Sequence, residues 1–191
     1  MVMTSYRIHT VDTVPEGAKQ PLVVLQEAFG FVPNGAGLMA NSPALLNTFL
    51  SAFGHFRGGG TFGPDERQVL LLTNAVANRC EWAVAFHSLE ALADGVEPAV
   101  VDALRRGEPP ADPRMAALSD VTGTFIAKRG HLDDADVAAF TAAGFTEGQL
   151  FEVITGVAIS TMTNYTANAA RPPLEAPVQP HAWTEGHLGG V

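Results

Sequence analysis

Apolar residues recur along this chain at intervals of three and four, and no stretch alternates apolar and polar positions with the period of a strand. The pattern predicts an all-α fold. A first helix spans about Glu16 to Ala28 and stops near Gly30, after an irregular lead-in over 1–15. Asn41 and Ser42 before Pro43 read as a cap and helix start, and Ala44 to Phe56 follows with apolar positions at 45, 46, 49, 50 and 53. Gly63-Pro64-Asp65 opens Glu66 to Asn78, whose centre (Val69, Leu70, Leu71, Leu72) is apolar nearly all round and so belongs in the middle of a bundle. Cys80 to Ala93, Pro98 to Arg106, Arg114 to Lys128, Ala135 to Ala143 and Thr146 to Ala169 complete the set, most of them closed by a glycine. Residues 1–170 therefore form a single helical domain, and the proline- and glycine-rich 171–191 is expected to be an extended arm. Glu66-x-Gln68-Val69 and Glu147-x-Gln149-Leu150 open two long helices 81 residues apart, through shared helix-start chemistry or through duplication.

Composition narrows the class. A chain of 191 residues can bury a core without disulfides, and its single cysteine rules out an internal one. The net charge of −9, with two lysines among the eleven cations, gives no basic stripe for nucleic acid. No run reaches the ~20 apolar residues of a membrane span, and Met1 to Gln20 lacks an apolar core of the signal-peptide kind. The expectation is a cytoplasmic protein that acts on a small-molecule substrate, with no membrane or nucleic-acid partner.

The candidate chemistry is concentrated in Asn78-Arg79-Cys80-Glu81-Trp82-Ala83-Val84-Ala85-Phe86-His87. Cys80, Ala83 and His87 share one helical stripe. At the helix start, beside Arg79, Cys80 is expected to have its thiolate favoured by unpaired amides and the macrodipole. Seven residues of helix rise about 10.5 Å, so Cys80 and His87 cannot pair directly as nucleophile and base. Trp82 with Phe86 reads chiefly as packing, Glu81 as a solvated first-turn acid, and His55 as a helix-end residue at the negative pole. His181 and His187 lack a third ligand at metal-site spacing, so no metal is assigned.

From Pro43 to His87 the chain resembles the alkylhydroperoxidase D-like and carboxymuconolactone decarboxylase superfamily. Pro43-Ala44-Leu45-Leu46 and Thr61 to Gln68 look like its lead-in helix and turn. Leu104-Arg105-Arg106-Gly107, Ala142 to Thr146 and Asn164-Tyr165 are similar to its peroxidase-related branch. The resemblance spans roughly 40 to 170 and implies a multi-helix bundle and homo-oligomers (dimers, trimers or hexamers) without a cofactor. In the redox members, Cys80 would match the first, more accessible cysteine and His87 the histidine that deprotonates the attacking thiol. Ala83 stands where that attacking cysteine belongs, and Gln68, twelve residues before Cys80, where the relay glutamate belongs. A glutamine takes no proton and an alanine attacks no peroxide, so the two-thiol cycle cannot run.

Three readings follow from the resemblance. In the first, Cys80 acts alone as a thiol peroxidase, an antioxidant oxidoreductase rescued by an external thiol reductant. The second is a non-redox, decarboxylase-like enzyme, with His87 as acid–base on a small acidic or lactone substrate. Gln68 would orient its carboxylate or carbonyl, in a pocket enlarged by Ala83 and lined by Trp82, Asn164 and Tyr165. The third is a catalytically silent ligand-binding or assembly protein.

Overall fold

The computed structural model describes residues 6–188, and among these there are nine α-helices and no strand. In chain order they are α1 (Glu16–Phe29), α2 (Asn34–Met39), α3 (Pro43–Gly58), α4 (Pro64–Ala77) and α5 (Glu81–Ala93). There follow α6 (Pro98–Arg105), α7 (Pro113–Ala127), α8 (Asp134–Ala142) and α9 (Glu147–Ala170). The first five residues of the lead-in and the last three of the arm lie outside the described part.

Helix starts follow the capping chemistry of the sequence. Ser42 accepts from Leu45 N, Asp112 from Arg114 N and Met115 N, and Thr146 from Gln149 N. The apparent repeat dissolves here. Glu66 fills the third helical position of α4 and reaches back to Gly63 N, whereas in α9 that place belongs to Gln149. The two segments are thus two residues out of register at their caps, as shared helix-start chemistry leaves them. In α1, Pro21 denies the Gly17 carbonyl its intrahelical donor, and Asn47 Nδ2 of α3 supplies the missing bond at 2.9 Å.

As its pattern predicts, α4 lies at the centre, packed against α5, α6, α7 and α9, with Val69, Leu70, Leu71 and Leu72 all buried. Its crossing with α9 is close because Gly156 faces Leu70: a Cβ there would stand 2.2 Å from Leu70 Cδ2.

Two features depart from the sequence reading. First, α2 was not anticipated. Its six residues include Gly35 and Gly37, poor helix formers. Both are demanded by tertiary packing, because a Cβ on Gly35 would meet the Trp82 ring at 2.7 Å and one on Gly37 the His9 carbonyl at 2.6 Å. Second, the arm does not project. From Arg171 it folds back on its own chain, with Val178 and Trp183 buried. Trp183 Nε1 donates to the Arg105 carbonyl at 2.8 Å, and the Arg105 guanidinium donates to His181 O, Ala182 O and Ser88 Oγ. Burying a tryptophan and satisfying its N–H outweighs the freedom of a proline-rich strand.

Candidate functional site

The start of α5 is a tight helix–helix junction. Arg79 takes a left-handed conformation at φ 49°, so that Arg79 N bonds to Val76 O and Cys80 N to Ala75 O, closing α4 in a Schellman turn. The next residue is already the N-cap of α5, and that residue is Cys80. This geometry turns the thiol inward: Cys80 is 1% exposed, and its Sγ donates to the Asn164 carbonyl at 3.6 Å.

The expectation of an accessible thiol with its thiolate favoured is therefore corrected. Burial pushes the Cys80 thiol up to about 11, against the pull of the Ala83 and Trp82 backbone amides, with the Glu81 carboxylate adding a smaller push in the same direction as burial. The helix-start effect is present and loses to desolvation.

A cavity opens along α5, between it and α1, α2, α3, α4 and α9, without Cys80 in its lining. It offers about 50 Å³ to the centres of water-sized molecules. A water takes about 10–15 Å³ on that measure, so it holds a few waters or one small ring. Its walls are apolar and largely aromatic, including Phe49, Phe53, Trp82 and Phe86. Trp82 stacks on Phe86 with centroids 5.1 Å apart, and Phe49 stacks on Phe53 at 5.4 Å.

Polar groups are few, and three have no protein partner. Gln68 Oε1, His87 Nδ1 and Ser160 Oγ are all buried, all without a hydrogen bond, and all belong to residues of the cavity wall. A buried polar atom without a partner is costly, and here three belong to residues around one hollow. Gln68 has its amide engaged, since Nε2 donates to Asp94 Oδ2 at 2.7 Å. The atom it leaves open is an acceptor, which corrects the expectation that it would donate to a substrate carboxylate or carbonyl.

Burial lowers His87 to about 4, so the ring is neutral at physiological pH. Glu90, one turn further along α5, also lines the cavity, and burial followed by the Asp94 charge raises its carboxyl, with Arg57 opposing. Arg57 and Arg67 complete the wall. Arg57 lies 5.5 Å from the centre of the Phe53 ring, and Arg67 uses Nη1 on the Phe62 carbonyl.

Of the residues singled out by sequence, Gln68, Trp82 and His87 are brought together in this cavity. Cys80, Ala83, Asn164 and Tyr165 are not among its lining residues. Ala83 is fully buried and stands outside the lining, which corrects its expected place in the pocket. Asn164 is buried with Nδ2 unpartnered, away from the cavity, and Tyr165 is 60% exposed on another face. Glu66 serves the α4 cap and pairs with Arg114 at 2.8 Å. Sequence reasoning missed Ser160, Glu90, Arg57 and Arg67. Glu90 alone had a readable signal, its three-residue spacing from His87. Among the described residues, no group of three or more His, Cys, Asp or Glu is placed to hold a metal ion.

Comparison with known proteins adds the following. Residues 43–123 match the carboxymuconolactone decarboxylase family. No functionally curated protein matches the chain. An alkylhydroperoxidase-core, peroxidase-related protein from Ralstonia eutropha JMP134 superposes with a TM-score of 0.80 at 20% identity, over 93% of this chain and 95% of its own. A cysteine-to-alanine variant of the debrominase Bmp8, in complex with 2,3,4-tribromopyrrole, superposes with a TM-score of 0.77 at 16% identity, over 95% and 96%. A peroxidase-related protein from Silicibacter sp. TM1040 gives 0.74 at 19%, over 92% and 95%. The family match thus covers the central helices, residues 43–123, and over nearly its whole length the chain shares the all-α architecture of these alkylhydroperoxidase-core and peroxidase-related proteins.

Proposed function

We propose that this chain is a non-redox enzyme of the carboxymuconolactone decarboxylase-like kind, moving a proton on a small lactone or unsaturated ring that bears one acidic group, with His87 as the acid–base. The observation that carries the reading is the set of three unpartnered polar atoms, Gln68 Oε1, His87 Nδ1 and Ser160 Oγ, all of residues that line one apolar cavity. A ligand that satisfied all three would remove their desolvation penalty and gain orientation at once.

The roles follow from the donors and acceptors. The ring occupies the aromatic part of the cavity, and its acidic group is held by Arg57 and Arg67, the two cations of the wall. Gln68 Oε1 accepts from an O–H or N–H of the substrate. His87, unprotonated in the free protein, takes a proton from a ring carbon beside the carbonyl, while the Ser160 hydroxyl donates to the oxygen on which negative charge develops. The imidazolium then returns that proton to the γ-carbon at the far end of the dienolate, so that a β,γ double bond moves to the α,β position. The net change is a shifted double bond, with no oxidant or reductant required. A debrominase of the same architecture, in complex with a tribrominated pyrrole, supports a compact ring as the ligand class.

The single-cysteine peroxidase reading has no comparable support, because its thiol is sealed and protonated. The test is deuterium uptake from D2O into a carboxylated unsaturated γ-lactone, followed by NMR. Wild type and Cys80→Ser should exchange at similar rates, and His87→Ala should be slower by about 100-fold or more, the usual scale for a lost acid–base group. Loss of exchange in Cys80→Ser with retention in His87→Ala would reverse the assignment. Binding of the lactone without exchange in any variant would favour a ligand-binding protein.

A further inference from the structure

The unpartnered atoms of Ser160, His87 and Gln68 differ in their freedom. The Ser160 hydroxyl can turn to donate or to accept, and the neutral His87 ring can carry its hydrogen on either nitrogen. The Gln68 amide cannot adapt in this way. Its Nε2 donates to Asp94 Oδ2 at 2.7 Å, and because a carboxylate only accepts, turning the amide over would set Oε1 against an anion. The polarity of Gln68 is therefore fixed from outside the cavity, since Asp94 is not among the lining residues.

Asp94 runs against the local rule for its place. It forms the C-cap of α5, where the negative pole of the helix disfavours a carboxylate. Among the described residues it makes no ion pair that would offset this. Its position is nonetheless firmly held. Asp94 N donates to Glu90 O at 2.8 Å, and beyond it the helix end closes through Gly95, at φ 87°, with Val96 N on Ala91 O. A rigid helix end thus presents a carboxylate to one buried amide of the central helix, and a local rule broken in this way points to a site.

We propose that Asp94 is a positioning residue that sets the ligand polarity of the cavity. By holding the Gln68 amide one way round, it makes the site select an acidic ring that carries an N–H or O–H over an isosteric ring with a bare oxygen in the same place. The inference rests on the reading of the cavity as the seat of a small ring with one acidic group, and narrows that ligand class to hydrogen-bond donors.

Of the remaining polar residues in the lining, Arg57 and Arg67 can only donate, and Thr163, like Ser160, has a hydroxyl that can do either. Glu90 is the other group able to receive an N–H. Substitution separates the two, because Asp94 acts on ligand choice through Gln68 and not through Glu90.

Calorimetric titration of the full chain with pyrrole-2-carboxylate and furan-2-carboxylate tests this, since the two acids match in size and differ in a ring N–H against a ring oxygen. Wild type should bind the pyrrole about 10- to 100-fold more tightly, the scale of a buried acceptor left unpaired. Asp94→Asn, checked by circular dichroism for retained helix, should bring that ratio below about threefold, because an amide can hold Gln68 either way round. Gln68→Met should abolish the preference, and Asp94→Asn added to it should leave the ratio where it was. A merely structural Asp94 would lower both affinities together and leave their ratio unchanged in the Gln68 chain. Equal binding of the two acids by wild type, or an Asp94→Asn chain that keeps the full preference, would overturn the proposal while leaving the His87 chemistry standing. Failure of both acids to bind would overturn it together with the reading of the cavity.

Discussion

Cys80 and Gln68 each depart from what their residue types suggest. Cys80 sits where a helix start favours the thiolate, yet the Schellman turn before it points Sγ into the core, and burial wins. At pH 8 a thiol near 11 has about a hundredfold less thiolate than one at its ordinary 9.0. Alkylation of the native protein should accordingly be at least 100-fold slower than of the denatured chain. Equal rates by mass spectrometry would show the thiol to be open. Gln68 engages its donor on Asp94, and so offers the cavity an acceptor. In that respect the site selects for an O–H or N–H on the ligand. His87 is held neutral by the same apolar walls that would bind a ring.

At the level of elements, the arm is part of the cavity's frame. Glu175 accepts from Trp82 Nε1 at 3.1 Å and from the first amide of α2, at Asn34, while Asn34 Nδ2 reaches the Pro173 carbonyl at 2.9 Å. One carboxylate thus ties the arm, the short glycine-containing helix and the aromatic wall together. Glu175→Ala leaves both N–H groups without a partner, at about 1–3 kcal/mol. In a chain of this size that is a fall in melting temperature of about 2–10 °C. The loss should appear locally as faster hydrogen exchange over 34–39, and unchanged melting and exchange would show the clasp to be idle. None of this was legible beforehand. Capping residues and apolar periodicity are local signals, and they place the long helices to within a residue or two, with α3 and α9 as examples. The existence of α2 depends on Trp82 lying across Gly35, a contact between segments 47 residues apart.

For the molecule as a whole, the all-α architecture and the central place of α4 could be read from the chain because they rest on pattern. The site could be read only in part. Gln68, Trp82 and His87 stand in a motif and were found, and Arg67 is the neighbour of Gln68 on α4, whereas Arg57 and Ser160 join them from α3 and α9, with nothing in their sequence neighbourhoods to mark them. Cys80 was misplaced because a motif fixes spacing along α5 and says nothing of which side chains the turn before it seals in the core, and Asn164 because its place on α9 says nothing of which way that helix faces. The central claim, a neutral histidine poised in an apolar cavity, also has a global consequence. Its folded pKa is depressed from 6.5 to about 4, so the unfolded chain binds a proton over that interval and the folded chain does not. Stability from this group is full above pH 6.5 and is lost as pH falls towards 4. The most direct measurement is a ring-labelled NMR titration of the six histidines, with His87 assigned from His87→Gln. The account predicts a His87 midpoint near 4, and a ring signal that moves when a carboxylated γ-lactone is added to wild type. A midpoint near the ordinary 6.5, with a ring indifferent to the lactone, would contradict it.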